Sequence, residues 1–537
     1  MSETEKRNLI AHLTDQARSG RVNRRTFMEG TVAAGLAVGG AASLWSSDVK
    51  AATPQKGGLF RVGMHDGNTG DSWDPGTTES VYMIQLNHAV RSYLTEITET
   101  NQLGPDMATS WSASADASEW RFELAKGATF HNGKAFTSAD AVASLNYHRG
   151  DESKSAAKAL LVDVQKIRTD GDNAIVITMT SGNADLPYLL SDYHLVMLPS
   201  DASGKVDWES GVGAGPYKVV NHDPGVATDM TRHDGYHRDG LAHFDGVRVT
   251  VLNDPNARQT ALVTGEVDAI SDVDLKTVSL LARAPGVEID NVPSGSHVTL
   301  PMFCDVEPFN DVNVRMALKL SIDREAIIDK ILYGYGAIGN DTPIGPSLPY
   351  FADLPQRTYD PDKAKWHLKQ AGHDGISVAL SATDSVMSGA VDMCTLYREQ
   401  AAKAGIDIEV VREPADNYWS NVWLKKPFVF VQWGARPTPD VMFSLAYKDD
   451  AKWNESHWQN PRFNELLLAA KKELDDDKRT AQYREMQQLC RDDGGTIVPF
   501  FRNRIAGRRS NVKHGPNLAG NWELDGARAY QRWWFDS

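Results

Sequence analysis

A few polar constellations are the places where this chain could do chemistry. His233 and His237 stand four residues apart, a spacing that places two imidazoles on one helix face and could hold a metal. Gly235 lies between them and weakens a helix there, and no third ligand is evident. His65-Asp66 follows an apolar run, at the kind of strand end where ligands often sit, although a surface histidine is the simpler reading. The glycine-rich stretch 211–217 is no dinucleotide loop, because Pro216 would break the helix that must follow. No G-x-x-x-x-G-K-[ST], H-E-x-x-H, G-x-S-x-G or C-x-x-C occurs. Cys304, Cys394 and Cys490 are too few for an all-cysteine zinc site and allow at most one disulfide. Three free thiols are the simplest expectation. Catalysis thus lacks a nucleophile–base set, and neither metal nor cofactor is expected.

The elements that must position any site alternate throughout. Period-2 runs predict strands at 59–64, 120–124, 247–252, 376–380, 406–411 and 497–501. Period-3.6 runs with caps predict helices at 81–94, 139–148, 256–264, 314–320, 324–333, 362–371, 393–404, 462–473 and 478–491. This is mixed α/β, with open sheets flanked by helices. The charge run 471–479 reads as a solvated loop between two helices. The aromatic tail Trp533-Trp534-Phe535 reads as packing that pins the C-terminus.

Length and charge bound the function. At 537 residues the chain has room for about three compact units. Its 56 basic and 71 acidic side chains leave it at −15, a poor balance for a nucleic-acid binder. Residues 31–44 are apolar but too short for the roughly 20 residues of a spanning helix. Arg24-Arg25-Thr26-Phe27 precedes them and Val49-Lys50-Ala51 follows, the pattern of a twin-arginine export signal cleaved near Ala51. Removal of residues 1–51 takes away seven basic and five acidic residues, leaving −17.

Five stretches, in order, carry a family likeness. They are 120–142 with Phe130-His131-Asn132-Gly133 and Thr137-Ser138-Ala139-Asp140, then Gly213-Ala214-Gly215-Pro216-Tyr217, and then 261–268 with Ala261-Leu262, Gly265 and Asp268. Val314-Arg315-Met316-Ala317-Leu318 with Ile322-Asp323-Arg324, and Tyr359-Asp360-Pro361, complete the set. Together they resemble the family 5 extracytoplasmic solute-binding proteins, the dipeptide, oligopeptide and nickel receptors of ABC importers. Ala141 departs from the usual Val. The resemblance implies a two-lobed α/β clamp with discontinuous lobes and an extra small domain. It places lobe I at 52–98, 209–303 and 497–537, the extra domain at 99–208 and lobe II at 304–496, with crossings near 301–305 and 496–501. It implies a monomeric periplasmic receptor, not an enzyme, that closes on a small solute and delivers it to an inner-membrane ABC permease with its ATPase. An exported hydrolase, or a chemosensory or chaperone protein built on the same clamp, is the alternative.

By the same resemblance, the stretch 431–440 lines the cleft. Trp433 offers a flat apolar face, and Pro437 and Pro439 stiffen the turn. Many peptide binders of the family place an Asp three residues after this Trp, to meet the ligand's amine. Arg436 stands there instead, and Asp440 follows four residues later. A guanidinium fork suits a carboxylate or phosphate, so the expected ligand is a short peptide or an acidic, peptide-like solute. Tyr418, Trp419, Phe303, Asp305, Asn68, Asp71, Tyr82 and Met83 are the further candidate contacts.

Overall fold

The computed structural model describes residues 54–536; the segment expected to be an export signal, and its expected cleavage point, lie outside the described residues. The principal strands, in chain order, begin with β1 (Leu59–Met64), β2 (Ala108–Ala113), β3 (Glu119–Leu124), β4 (Val164–Thr169) and β5 (Ala174–Met179). They continue with β6 (Tyr217–Asp223), β7 (Ala227–Arg232), β8 (Gly246–Val251), β9 (Ala269–Ile270) and β10 (Val287–Pro301). The last four are β11 (Ile376–Ala382), β12 (Ile406–Arg412), β13 (Val431–Trp433) and β14 (Phe500–Arg509). Six helices matter below: α1 (Val81–Val90), α2 (Ser138–Tyr147), α3 (Pro255–Thr264), α4 (Pro439–Ala446), α5 (Pro461–Ala470) and α6 (Asp476–Asp492).

The central sheet runs β13-β10-β14-β9-β1-β8-β7-β6. β1 lies parallel to both β8 and β9, and the remaining neighbours are antiparallel. β1 buries Phe60, Val62 and Met64 completely. Phe60 meets Phe244 at 4.3 Å and Trp533 at 6.3 Å between ring centroids, so the aromatic tail is indeed packing. A second body is the antiparallel sheet β2-β3-β5-β4, whose core is built on Trp120, Phe122, Ile175, Ile177 and Leu186. A third surrounds the parallel pair β11-β12 with a core of Leu380, Ile406, Ile408, Phe428 and Met393. A fourth core joins Trp433 to α4, α5 and α6 through Phe443, Phe463 and Tyr483.

Local chemistry explains the elements. Asp254 accepts from the Ala257 N–H at 2.7 Å, Pro255 opens α3, and Gly265 at φ 76° closes it. At α2, Asp140 accepts from the Thr137 N–H and hydroxyl, each at 3.0 Å, and from the Ser200 N–H at 2.8 Å. The 120–142 stretch is therefore held by structural bonds. Gly213 and Gly215 pack on the end of α1, where an added Cβ would stand 2.1 Å and 2.7 Å from the Val90 carbonyl oxygen.

The helix predicted over 81–94 ends at Val90. The Gly215 N–H takes the Val90 carbonyl at 2.9 Å, and Tyr93 and Leu94 turn extended to accept from Met107 and Ala108. The strand predicted over 497–501 splits at Pro499, with Thr496–Ile497 pairing β10 and Phe500–Arg509 continuing beyond. All three cysteines are free thiols; Cys394 and Cys490 are buried, and burial pushes the half-buried Cys304 up to about 11.

Candidate functional site

β13 closes one end of the central sheet and pairs only with β10, placing Trp433 opposite His297 and Gln432 opposite Val298. Neighbouring side chains on a strand project to opposite faces, so Gln432 and Trp433 look away from each other. Trp433 is buried. Its indole N–H donates to Glu455 at 3.1 Å, the Trp423 N–H donates to the other oxygen at 2.9 Å, and the Thr299 hydroxyl adds a 2.6 Å bond. Burial pushes the Glu455 carboxyl up, against the three hydrogen bonds that favour its charged form. Trp423, Trp433 and Trp453 form a triangle with centroids 5.7–6.2 Å apart. Trp433 is therefore locked by an anchored indole and an aromatic wall. No pattern in the sequence singled out Glu455. Opposite Trp433, burial pulls His297 down to about 4, so its ring is neutral at neutral pH.

Arg436 follows in the turn before α4. Thr438 caps that helix at 3.4 Å to the Val441 N–H, and Pro439 opens it. The Arg436 guanidinium stands 5.8 Å from the Trp433 ring centre. Its Nη1 donates to the Ala435 carbonyl at 3.2 Å and the Gly434 carbonyl at 3.5 Å. Burial lowers its pKa, with Tyr193 and Asp192 opposing from across the turn. It forms no ion pair with any described residue.

Asp440 does not meet Arg436. It lies buried on α4, facing Asp185 from the four-stranded body. Burial and the Asp185 charge push it up to about 7, and its Oδ1 has no hydrogen-bond partner. Asp185 itself accepts from Arg479 and from the Thr438 hydroxyl. Lys471 pairs with Asp163 at 2.9 Å, and its carbonyl accepts from the Ala184 N–H at 2.7 Å. The run 471–479 is exposed at 472 and 474–478, as its charge suggests, but its ends are not free. Its two ends dock the four-stranded body onto α4–α6, and Arg479 is 4% exposed.

The other candidates fall in separate places. Tyr418 is buried, its hydroxyl donating to the Phe430 carbonyl at 2.9 Å, while Trp419 is half exposed and meets Trp423 edge-on at 5.6 Å. Phe303 stacks on His457 at 3.9 Å, and Asp305 accepts from His457 at 2.9 Å. Cys304, Asp305 and His457 line a groove of about 710 Å³ that neither Trp433 nor Arg436 reaches. Asn68 and Asp71 bond each other in a surface turn at 2.9 Å. Tyr82 and Met83 are buried on α1, with the Tyr82 hydroxyl 2.8 Å from Thr228. Within 431–440, Trp433 and Arg436 are brought together and Asp440 is not, while Tyr418 shares the buried core of Trp433. Of the histidine pair, His237 bonds Asp106 at 3.1 Å while His233 lies against the His131 ring at 5.0 Å. Among the described residues no group of three or more His, Cys, Asp or Glu gathers in a metal-holding arrangement.

Known proteins share this architecture. The profile of the bacterial extracellular solute-binding proteins, family 5 Middle, matches residues 102–455. The chain is similar to the glutathione-binding protein GsiB of Salmonella choleraesuis (strain SC-B67), 23% identical over 431 residues that cover 78% of this chain and 83% of that protein. It is 29% identical over 334 residues to the probable peptide ABC transporter periplasmic-binding protein y4tO of Sinorhizobium fredii (strain NBRC 101917 / NGR234), covering 56% and 61% of the two chains. Its fold matches the periplasmic binding protein DppA of Helicobacter pylori, solved with the peptide STSA, with a TM-score of 0.69 at 21% identity over 90% of this chain and 99% of that one. The chain belongs to family 5 of the bacterial extracellular solute-binding proteins, and its fold is the two-lobed α/β clamp with discontinuous lobes and an extra small domain.

Proposed function

We propose that this protein is the periplasmic receptor of an ABC importer and that it closes on a short peptide or peptide-like acidic solute. The observation that carries the ligand class is Arg436: a half-buried guanidinium beside an anchored Trp433, with no described carboxylate in ion-pair range, since Asp192, whose charge reaches it, is bonded to His194. An uncompensated, desolvated cation is costly and becomes favourable when an anionic group arrives. Glutathione and peptides, named for the relatives, belong to that class. The twin-arginine signal cleaved near Ala51 would deliver the chain to the periplasm. Lobe I then comprises 52–98, 209–303 and 497–537, the extra domain 99–208 and lobe II 304–496. The receptor works as a monomer and hands its solute to an inner-membrane permease, whose ATPase supplies the energy.

Calorimetry with glutathione and acidic di- and tripeptides tests this reading. Arg436→Ala is expected to weaken the tightest of them about 10²–10³-fold, the scale of breaking a buried ion pair. Unchanged affinity in the variant, or conversion of any probe to product, would sink it.

A further inference from the structure

Burial lowers the pKa of five arginines among the described residues: Arg91, Arg149, Arg258, Arg436 and Arg502. Three of them have their guanidinium donors well used. Arg258 donates to the Leu252, Asn253, Ser271 and Asp272 carbonyls at 2.7–3.3 Å. Arg149 reaches Asn146 at 2.7 Å and the carbonyls of Val164 and Gln165. Arg91 uses Nη1 on Asn87 and Nη2 on the Trp208 carbonyl, at 3.2 and 3.0 Å.

The other two differ in the same way. Arg502 donates only through Nη1, to the Gln432 side chain at 3.0 Å. Arg436 also donates only through Nη1, to its own loop. In both, Nε and Nη2 have no hydrogen-bond partner among the described residues, and neither nitrogen is an enclosed orphan. Those two nitrogens form the side-on fork of a guanidinium. Elsewhere in this protein the same fork grips carboxylates: Arg61 on Asp268 at 3.0 and 2.7 Å, and Arg462 on Glu485 at 2.8 and 3.0 Å. The acids that influence Arg502 are engaged elsewhere, Asp272 by Arg258 and Glu523 by Arg504, each at 3.4 Å.

The tethers set the geometry. Arg502 hangs from Gln432 and Arg436 lies over Trp433. These are consecutive residues of β13, so the two open forks are tethered to neighbouring positions of one edge strand.

We infer that Arg502 is a second anion-binding residue and that the solute carries two oxyanion groups, carboxylate or phosphate, one for each open fork. This rests on the receptor reading and narrows its substrate class from acidic to dianionic.

Titration calorimetry and thermal shift on the full chain test it with paired probes: glutathione and its monoethyl ester, γ-glutamylglycine and its C-terminal amide, and a uronic acid with its 1-phosphate. Trialanine amide serves as a cationic control. At least one probe with two oxyanion groups is expected to bind about 10–100-fold tighter than its counterpart with one, the worth of one charged hydrogen-bonded contact. Arg502→Gln should bring the two within about twofold. Arg502→Lys, which keeps the charge but loses the fork, should fall between, and Arg436→Ala should weaken both. Thermal melting of the unliganded variants is expected to match the parent, since Arg502 has no ionic partner to lose.

Dependence on Arg436 with an unchanged dianion-to-monoanion ratio in Arg502→Gln overturns this inference and leaves the receptor reading standing. Indifference to both substitutions removes both. If no dianion binds, or the amide binds best, the inference is also overturned.

Discussion

Arg479 and Arg436 are dressed alike and finished differently. Each guanidinium lies against aromatic rings: Arg479 at 5.1 Å from Tyr350 and 5.4 Å from Tyr483, Arg436 at 5.8 Å from Trp433. Each sits beside α4, a few residues from an Asp. Arg479 is paired with Asp185, which accepts from Thr438 as well, and the pair holds the guanidinium well above its ordinary pKa. Arg436 has only its own loop carbonyls, and burial pulls it below. A saturated cation at a seam is a fastener between bodies. An unsaturated one is a binding group whose partner comes from outside the chain.

The largest effect that tests this contrast is on stability at the seam. Arg479→Ala strands Asp185 beside Asp440 with no cation in bonding range, and loss of one partner of a buried pair costs about 3–5 kcal/mol. Urea unfolding should show a midpoint well below the parent's. A change below about 1 kcal/mol would mean that the seam is held by packing and that Arg479 is no fastener.

The contrast also shows what a sequence can display. Capped, periodic segments such as α3 and β3 announce themselves through side chains that act on their own backbone, Asp254, Pro255 and Gly265 among them. The alternation of strands and helices was legible through runs of this kind, and the clamp through the family resemblance of five short stretches. The strand β10 was not: Asp290, Asn291, Pro293, Ser294 and Gly295 break its alternation, and a register shift lies between Pro293 and His297. Its partner β14, more than 200 residues away, supplies the pairing that local preference does not. Trp433 and Arg436 could be named because the family resemblance marks one short stretch, 431–440, that holds both. Glu455 and Arg502 could not, because each acquires its role from residues distant in sequence: Thr299 for one, Gln432 for the other. Arg479 was misread because local charge density says nothing about an Asp185 that packs on it from 294 positions away.

The next effect in size is a slope with pH. Asp440 holds its proton to about 7 in the folded chain, facing Asp185 and Asp163 with Lys471 and Arg479 as the opposing cations, whereas an unfolded Asp releases it near 4. Between those values the folded state binds more protons, so stability should fall as pH rises from about 4 to about 7 and then level off. Asp440→Asn should flatten that contribution and be the more stable form at pH 8, by roughly 1–3 kcal/mol on the scale of about 1.4 kcal/mol per pH unit. Parallel curves for parent and variant in unfolding from pH 5 to 8 would place the titrating group elsewhere.

Lys471 offers a smaller change at the same seam. Its pair with Asp163 is about one-third exposed on both sides, a setting in which ion pairs contribute about 0–1 kcal/mol. The Ala184 N–H bonds the Lys471 backbone carbonyl, which a substitution leaves in place. Lys471→Ala should therefore cost less than about 1 kcal/mol, and the loss should shrink at high salt. A cost near that of Arg479→Ala would erase the distinction between the exposed and buried ends of this run.

The smallest expected change is the stability of Arg436→Ala. Truncating a paired, buried Arg leaves a carboxylate stranded, and the stranded partner accounts for most of the loss. Arg436 leaves none: its bonds end on the Ala435 and Gly434 carbonyls. What disappears is a desolvated cation and one contact with Trp433, opposite in sign and each about 1 kcal/mol. The unliganded variant should therefore unfold within about 0.5 kcal/mol of the parent, or slightly above it. That near-zero gives a loss of affinity in the same variant its meaning, because a fold left intact assigns the loss to the missing fork. A drop of 2 kcal/mol or more in the unliganded protein would instead make Arg436 a second fastener, and its open fork an accident of packing.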